Sequence, residues 1–128
     1  MATVQAVLWD VDGTLVSTKD LYLESYRRAL EPYVGKRLSD LDLMALHPTS
    51  ELRLLRDQAG PHFEACLQDF ARHYAELHPT LCGGIYDGVP AVIDTLRARG
   101  IKHGVVSGKS HGSWQLTVSE LALGDFDA

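Results

Sequence analysis

The order of elements along the chain predicts an α/β fold with a helical block inserted after its first strand. Three observations carry that expectation. Residues 4 to 9 form a near-continuous apolar run that ends in two acids, Asp10 and Asp12. Residues 17 to about 78 show helical spacing and no convincing strand. A second apolar run, "IKHGVVS", follows between two further helical segments. Strand, helical block, helix, strand, helix is the sequence of a sheet protein carrying an insertion.

The first run is the pattern of a parallel strand covered on both faces. "STKDLYLESYRRALEPYVG" then reads as a helix, with Ser17 or Thr18 as cap and Leu23, Tyr26, Leu30 and Tyr33 or Val34 at helical spacing. Pro32 and Gly35 mark its end. "SDLDLMAL" is a short helix stopped by Pro48, and "TSELRLLRDQAG" runs from a Thr49 or Ser50 cap to Gly60. "PHFEACLQDFARHYAEL" carries Phe63, Cys66 or Leu67, Phe70, Tyr74 and Leu77 on one stripe, with Pro61 suited to a first turn. That stripe reads as core, not as a cofactor contact. Gly83-Gly84 mark a hinge, Pro90 opens the helix "PAVIDTLRARG", and "SHGSWQLTVSELALG" reads as the last helix.

Composition bounds the rest. With 128 residues, 45% of them hydrophobic and 23% charged, the chain suits one ordinary soluble globular domain with a sizeable core. A net charge of −5 argues against a general nucleic-acid or anionic-membrane surface. No apolar run approaches the roughly 18 residues of a membrane span, and no signal-peptide layout is present, so a cytoplasmic location is expected. Cys66 and Cys82 are then expected to be free thiols. The six histidines show no metal-ligand spacing and read as structural or surface residues.

The chemistry lies at the end of the first strand. Side chains alternate in an extended chain, so Asp10 and Asp12 project to one side, at the strand end where open α/β sheets bind ligands. Two carboxylates so close repel and call for a partner, which a hard cation such as Mg2+ supplies. A carboxylate can also attack phosphorus while a neighbouring acid shuttles the proton. Gly13 allows a sharp turn and close approach to a phosphate. At the end of the second strand, Ser107, Gly108 and Lys109 offer a hydroxyl, backbone N–H groups and a cation at a helix N-terminus, a set that suits a phosphate. "GVVSGKS" is not a nucleotide-binding P-loop. Gly104 stands only four positions before Gly108, and His103 occupies the place that motif requires for glycine.

"DVDGTL" resembles the first motif of the haloacid dehalogenase-like superfamily, Asp-x-Asp-Gly-Thr. The long helical block after it and "YDGVPAVIDTLRARGIKHGVVSGK" resemble the phosphoglycolate phosphatase and β-phosphoglucomutase branch. The resemblance implies a Rossmann-like core of residues 1–16 and 81–128, with a helical cap of residues 17–80. It implies Asp10 as nucleophile and Asp12 as general acid/base. Mg2+ is then held by Asp10 and Asp12, through the carboxylate of Asp10 and the backbone carbonyl of Asp12. Ser107 binds the transferring phosphoryl group. The implied activity is Mg2+-dependent hydrolysis of a small phosphate monoester, a phosphorylated metabolite, through phospho-Asp10. Phosphomutase chemistry on the same residues and a non-catalytic remnant of the fold are the alternatives. A phospho-acceptor receiver domain fits worse, since it carries no such block after its first strand. Tyr22, Tyr26 or Arg53 are candidates for specificity.

The family's third-motif lysine and fourth-motif acidic pair are not recognisable. "LGDFDA" matches the turn before a third core strand, and Lys109 belongs to the second motif. The core is therefore expected to be incomplete, with unpaired apolar edges that a missing C-terminal segment or an oligomer partner completes.

Overall fold

The computed structural model describes residues 3–128; the first two residues of the expected core segment 1–16 lie outside the described residues. Four strands and six α-helices follow in the order β1 (Ala6–Trp9), β2 (Val16–Ser17), α1 (Lys19–Val34), α2 (Asp40–Ala45), α3 (Glu51–Ala59), α4 (Phe63–Leu81), β3 (Gly84–Ile85), α5 (Val89–Ala98), β4 (Lys102–Val105) and α6 (His111–Leu121). β1 and β4 pair in parallel, with Ala6 opposite Lys102 and Trp9 opposite Val105. β2 and β3 pair antiparallel as a two-residue ribbon at the base of the helical block. The mixed α/β architecture is the one expected.

Local chemistry accounts for most element ends. α1 stops at Gly35, whose φ of 81° is left-handed and whose N–H reaches the carbonyl of Glu31. Pro32 lies inside the last turn and does not end the helix. α2 opens on a reciprocal capping box. Ser39 Oγ accepts from the N–H of Asp42 at 3.1 Å, and the Asp42 carboxylate accepts from the N–H of Ser39 at 2.9 Å. Ser50 caps α3 by accepting from the N–H of Arg53. α4 runs past Pro79 to Leu81, beyond the expected end near residue 78. Pro79 has no N–H to give its helix, and the helix ends two residues later.

Two apolar clusters form. The first gathers the inserted helices around Leu21, Leu23, Tyr26, Leu30, Leu43, Leu55, Cys66, Phe70 and Tyr74, all buried. Phe70 packs between Tyr26 and Tyr74 with tilted rings, centroids at 4.9 and 5.8 Å. The second cluster holds Val11, Leu15, Val16, Ile93 and Leu123, with Trp9, Val105 and Trp114 against it. Cys66 is buried and Cys82 half-buried, and both are free thiols. Burial pushes the Cys66 thiol up to about 11.

Three expectations need correction. β1 is not covered on both faces. Leu8 is 69% exposed, and among the described residues β1 pairs only with β4. Among the described residues no layer packs over Leu8, which points to the other face of β1 from Trp9. Nor are Gly83-Gly84 a bare hinge or linker, since Gly84–Ile85 pairs with Val16–Ser17. Thr18 stands at the N-cap of α1, but its side chain makes no capping bond. The last residues run beside β4. The N–H of Asp127 donates to His103 at 2.7 Å, and the N–H of Val105 to the carbonyl of Ala128 at 2.9 Å. No described helix is long and apolar enough to cross a membrane.

Phe70 is fully buried between two aromatic rings. Phe70→Ala is expected to lower unfolding free energy by about 3–5 kcal/mol in urea titration, through lost transfer energy and a residual cavity.

Candidate active site

β1 ends at Trp9, and the chain then turns tightly on one carbonyl. The oxygen of Val11 accepts from the N–H groups of Thr14, Leu15 and Val16 at 3.1, 2.9 and 3.2 Å. Gly13, at φ 76°, supplies the left-handed residue this turn requires. The Val11 side chain is fully buried in the second cluster, so its neighbours Asp10 and Asp12 fall on the opposite side. Both line one cavity.

On the adjacent strand, the N–H of Val106 donates to the carbonyl of Trp9 at 2.9 Å, which keeps the two strand ends level. Ser107 and Gly108 therefore reach the same cavity. It holds about 460 Å³, and the inserted helices supply Lys19, Tyr22, Tyr26 and Glu51 to its wall, with Thr49 from the loop before α3. Tyr86 closes the side nearest β3.

The two acids have different surroundings. Asp10 is exposed and accepts only a long bond from the Thr14 hydroxyl, 3.4 Å. Its carboxylate is free to meet a ligand. Asp12 is held. The Thr18 hydroxyl donates to its Oδ1, and the Lys109 ammonium lies 3.1 Å from Oδ1 and 3.4 Å from Oδ2. Lys109 also donates to the Tyr74 hydroxyl at 2.6 Å and sits 3.7 Å from Glu51 Oε1. Burial alone favours the neutral amine, but Tyr74, Asp12 and Glu51 outweigh it and hold the Lys109 pKa above its ordinary value. Burial raises the Tyr74 phenol, and Lys109 offsets only part of that. The pair is therefore an ammonium beside a neutral phenol.

The structure brings together Asp10, Asp12, Gly13, Ser107 and Gly108, as the sequence suggests. Lys109 departs from that expectation. Its side chain is 1% exposed, lies behind the cavity wall and is drawn to Asp12, not to an open phosphate position. Tyr22 and Tyr26 line the cavity, while Arg53 lies outside it, 81% exposed and facing Asp57. Sequence reasoning did not single out Lys19, Thr49, Glu51 or Tyr86. Only Lys19 carries a local signal, because a cation in a first helical turn opposes the helix dipole. The Thr18 hydroxyl reaches Asp12 instead of capping α1, and Tyr74, packed in the core as its stripe predicts, also extends its hydroxyl to Lys109 beside Asp12.

A metal finds a limited donor set. Among the described residues no cluster of three or more His, Cys, Asp or Glu side chains could hold one. The open Asp10 carboxylate fits an oxygen-seeking cation, whereas the Asp12 carboxylate is already engaged by Lys109 and Thr18. Mg2+, which keeps several of its waters, is compatible with one carboxylate and one backbone carbonyl.

Gly108 carries a close approach. A Cβ there would meet the carbonyl oxygen of Thr49 at 1.8 Å, and its own carbonyl accepts from the N–H of Glu51 at 2.9 Å. Gly112, in the first turn of α6, has nothing within 4 Å of a built Cβ. Gly108→Ala is expected to cost at least about 1–3 kcal/mol by thermal unfolding. Gly112→Ala should instead stabilise by about 0.5–1 kcal/mol.

Comparison with known proteins gives one family. The sequence model described as "Haloacid dehalogenase-like hydrolase" matches residues 7–127. The phosphoglycolate phosphatase of Aquifex aeolicus is 30% identical over 116 residues, covering 83% of this chain and 50% of that protein. The pyrophosphatase PpaX of Anoxybacillus flavithermus is 27% identical over 106 residues, covering 83% and 49%. Among solved structures, β-phosphoglucomutase from Clostridium difficile superposes with a TM-score of 0.78 at 17% identity, over 98% of this chain and 60% of that one. CbbY from Rhodobacter sphaeroides, in complex with phosphate, gives 0.74 at 20% identity, over 91% and 56%. The chain spans about half the length of the relatives it matches.

Proposed function

The chain belongs to the haloacid dehalogenase-like hydrolase family, and from that premise we propose that it carries the nucleophile half of a phosphatase site acting on a small phosphate monoester. The observation that supports this most directly is the unequal treatment of the two acids. Asp10 faces the cavity unencumbered, and Asp12 is fixed beside it.

In this reading an Asp10 oxygen attacks phosphorus and the bond from phosphorus to the ester oxygen breaks. Asp12 gives its proton to the leaving oxygen, which departs as the alcohol. Water then loses a proton to Asp12 and attacks phospho-Asp10, releasing phosphate and restoring the carboxylate. The Ser107 hydroxyl and the backbone turn at Gly108 orient the phosphoryl oxygens. Mg2+, held by the Asp10 carboxylate and the Asp12 carbonyl, supplies charge neutralisation to the phosphoryl group when bound.

Relatives named phosphoglycolate phosphatase and pyrophosphatase support a compact substrate with a second anionic group. Lys19 at the cavity wall provides a cation for it. The functional residues absent from this chain belong, on the same proposal, to polypeptide matching the other half of the relatives. That polypeptide also covers the free edge of β1 and the face of Leu8. A monodisperse, cooperatively melting monomer of residues 1–128, measured by native mass and calorimetry, would refute this last point.

The assay is hydrolysis of an aryl phosphate with Mg2+. Asp10→Asn is expected to abolish turnover, and Asp12→Asn to lower kcat about 10²–10⁴-fold. Turnover that survives Asp10→Asn removes Asp10 from the nucleophile role.

A further inference from the structure

Where the inserted helices meet α6, a buried polar network lies beside one apolar contact, Leu116 against the first cluster. The covalent connections are few, passing through the β2–β3 ribbon, where Gly83 presses against Ser17. Across the contact, the Tyr74 hydroxyl and His78 Nε2 of α4 both meet the Thr117 hydroxyl of α6, at 3.1 and 3.2 Å. Glu51, 5% exposed, reaches from α3 to the start of α6. Its carboxylate accepts from the N–H of Ser110 at 2.9 Å and from the Ser113 hydroxyl at 2.8 Å.

Lys109 runs through the middle of this contact. Of its three partners, Glu51 and Tyr74 belong to the inserted helices, and only Asp12 belongs to the turn after β1. A buried ammonium is tolerated when its partners are in place and costs heavily when they leave. Lifting α3 and α4 would take away two of the three. Asp12 would then keep the Thr18 hydroxyl and an ammonium no longer fixed from behind.

We propose that Lys109 is a positioning residue that ties the orientation of the Asp12 carboxylate to the docking of α3 and α4 on the turn of residues 107–110. The catalytic consequence rests on the assignment of Asp12 to proton transfer; the coupling itself rests on this geometry. Glu51 and Tyr74 hold the ammonium, and the ammonium holds Asp12. Docking and alignment are then one event.

Glu51→Gln is the decisive variant, because it keeps size and hydrogen-bonding capacity, removes the charge facing Lys109 and does not touch Asp12. The carboxyl carbon resonance of Asp12, assigned by its loss in Asp12→Asn, is read in aspartate-labelled full chain. Amide hydrogen exchange is read alongside. Glu51→Gln and Lys109→Met are both expected to move the Asp12 resonance and to speed exchange at Glu51 and Ser110 about tenfold or more. Exchange at Val106, within the sheet, should stay unchanged and certifies the fold. In the aryl phosphate assay both variants lower kcat with little change in KM. An Asp12 resonance unmoved by Glu51→Gln overturns the coupling, whether or not Lys109→Met folds. If turnover survives Asp10→Asn, the proposed function fails while the resonance test still decides the coupling.

Discussion

The parallel pairing of β1 with β4 is the constraint on which the cavity depends. Trp9 opposite Val105 brings two strand ends to one level, and the Val106 to Trp9 hydrogen bond extends that pairing by one step. Asp10 and Ser107 then leave the sheet side by side. The period of two along β1 does the remaining work: with Val11 locked into the core, Asp10 and Asp12 must face outward. A slip of one residue would exchange those faces and send both carboxylates into the apolar cluster. The buried aromatic and aliphatic residues behind the turn therefore act on the chemistry indirectly, by denying the backbone any other register.

The inserted helices complete the cavity from a separately packed unit. Tyr26 contributes to both roles, lying in the apolar cluster of those helices and in the cavity wall. The contact between the two parts includes a buried polar network beside the apolar contact of Leu116. Hydrogen bonds and ion pairs can be exchanged for water when the parts separate, which an apolar contact of the same area resists. Gly108 fits this picture, since the Thr49 carbonyl packs where any side chain would stand.

Periodicity made the helices legible, because α1, α3 and α4 each bury a face that repeats along the chain. The two-residue strands β2 and β3 escaped notice for the opposite reason: two residues carry no period, and only their pairing makes them strands. Thr18 illustrates a competition that local rules do not resolve. A threonine before a helix is a natural cap, yet the Asp12 carboxylate six positions earlier takes its hydroxyl. The exposure of Leu8 has a similar origin. An apolar run states that a strand expects cover, and the elements packed on each face of the sheet decide whether it receives any.

By itself the sequence determined the α/β class, the place of the helical insertion and the pairing of Asp10 with Asp12 on one face, because each follows from spacing along a single segment. The tertiary structure alone decided that Lys109 turns away from the cavity to Asp12 and that Glu51, 58 positions earlier, joins it there. The reason is physical. Alternation and helical period are set by backbone geometry within a few residues, whereas a buried charge takes its position from whichever opposite charges the whole fold brings within reach.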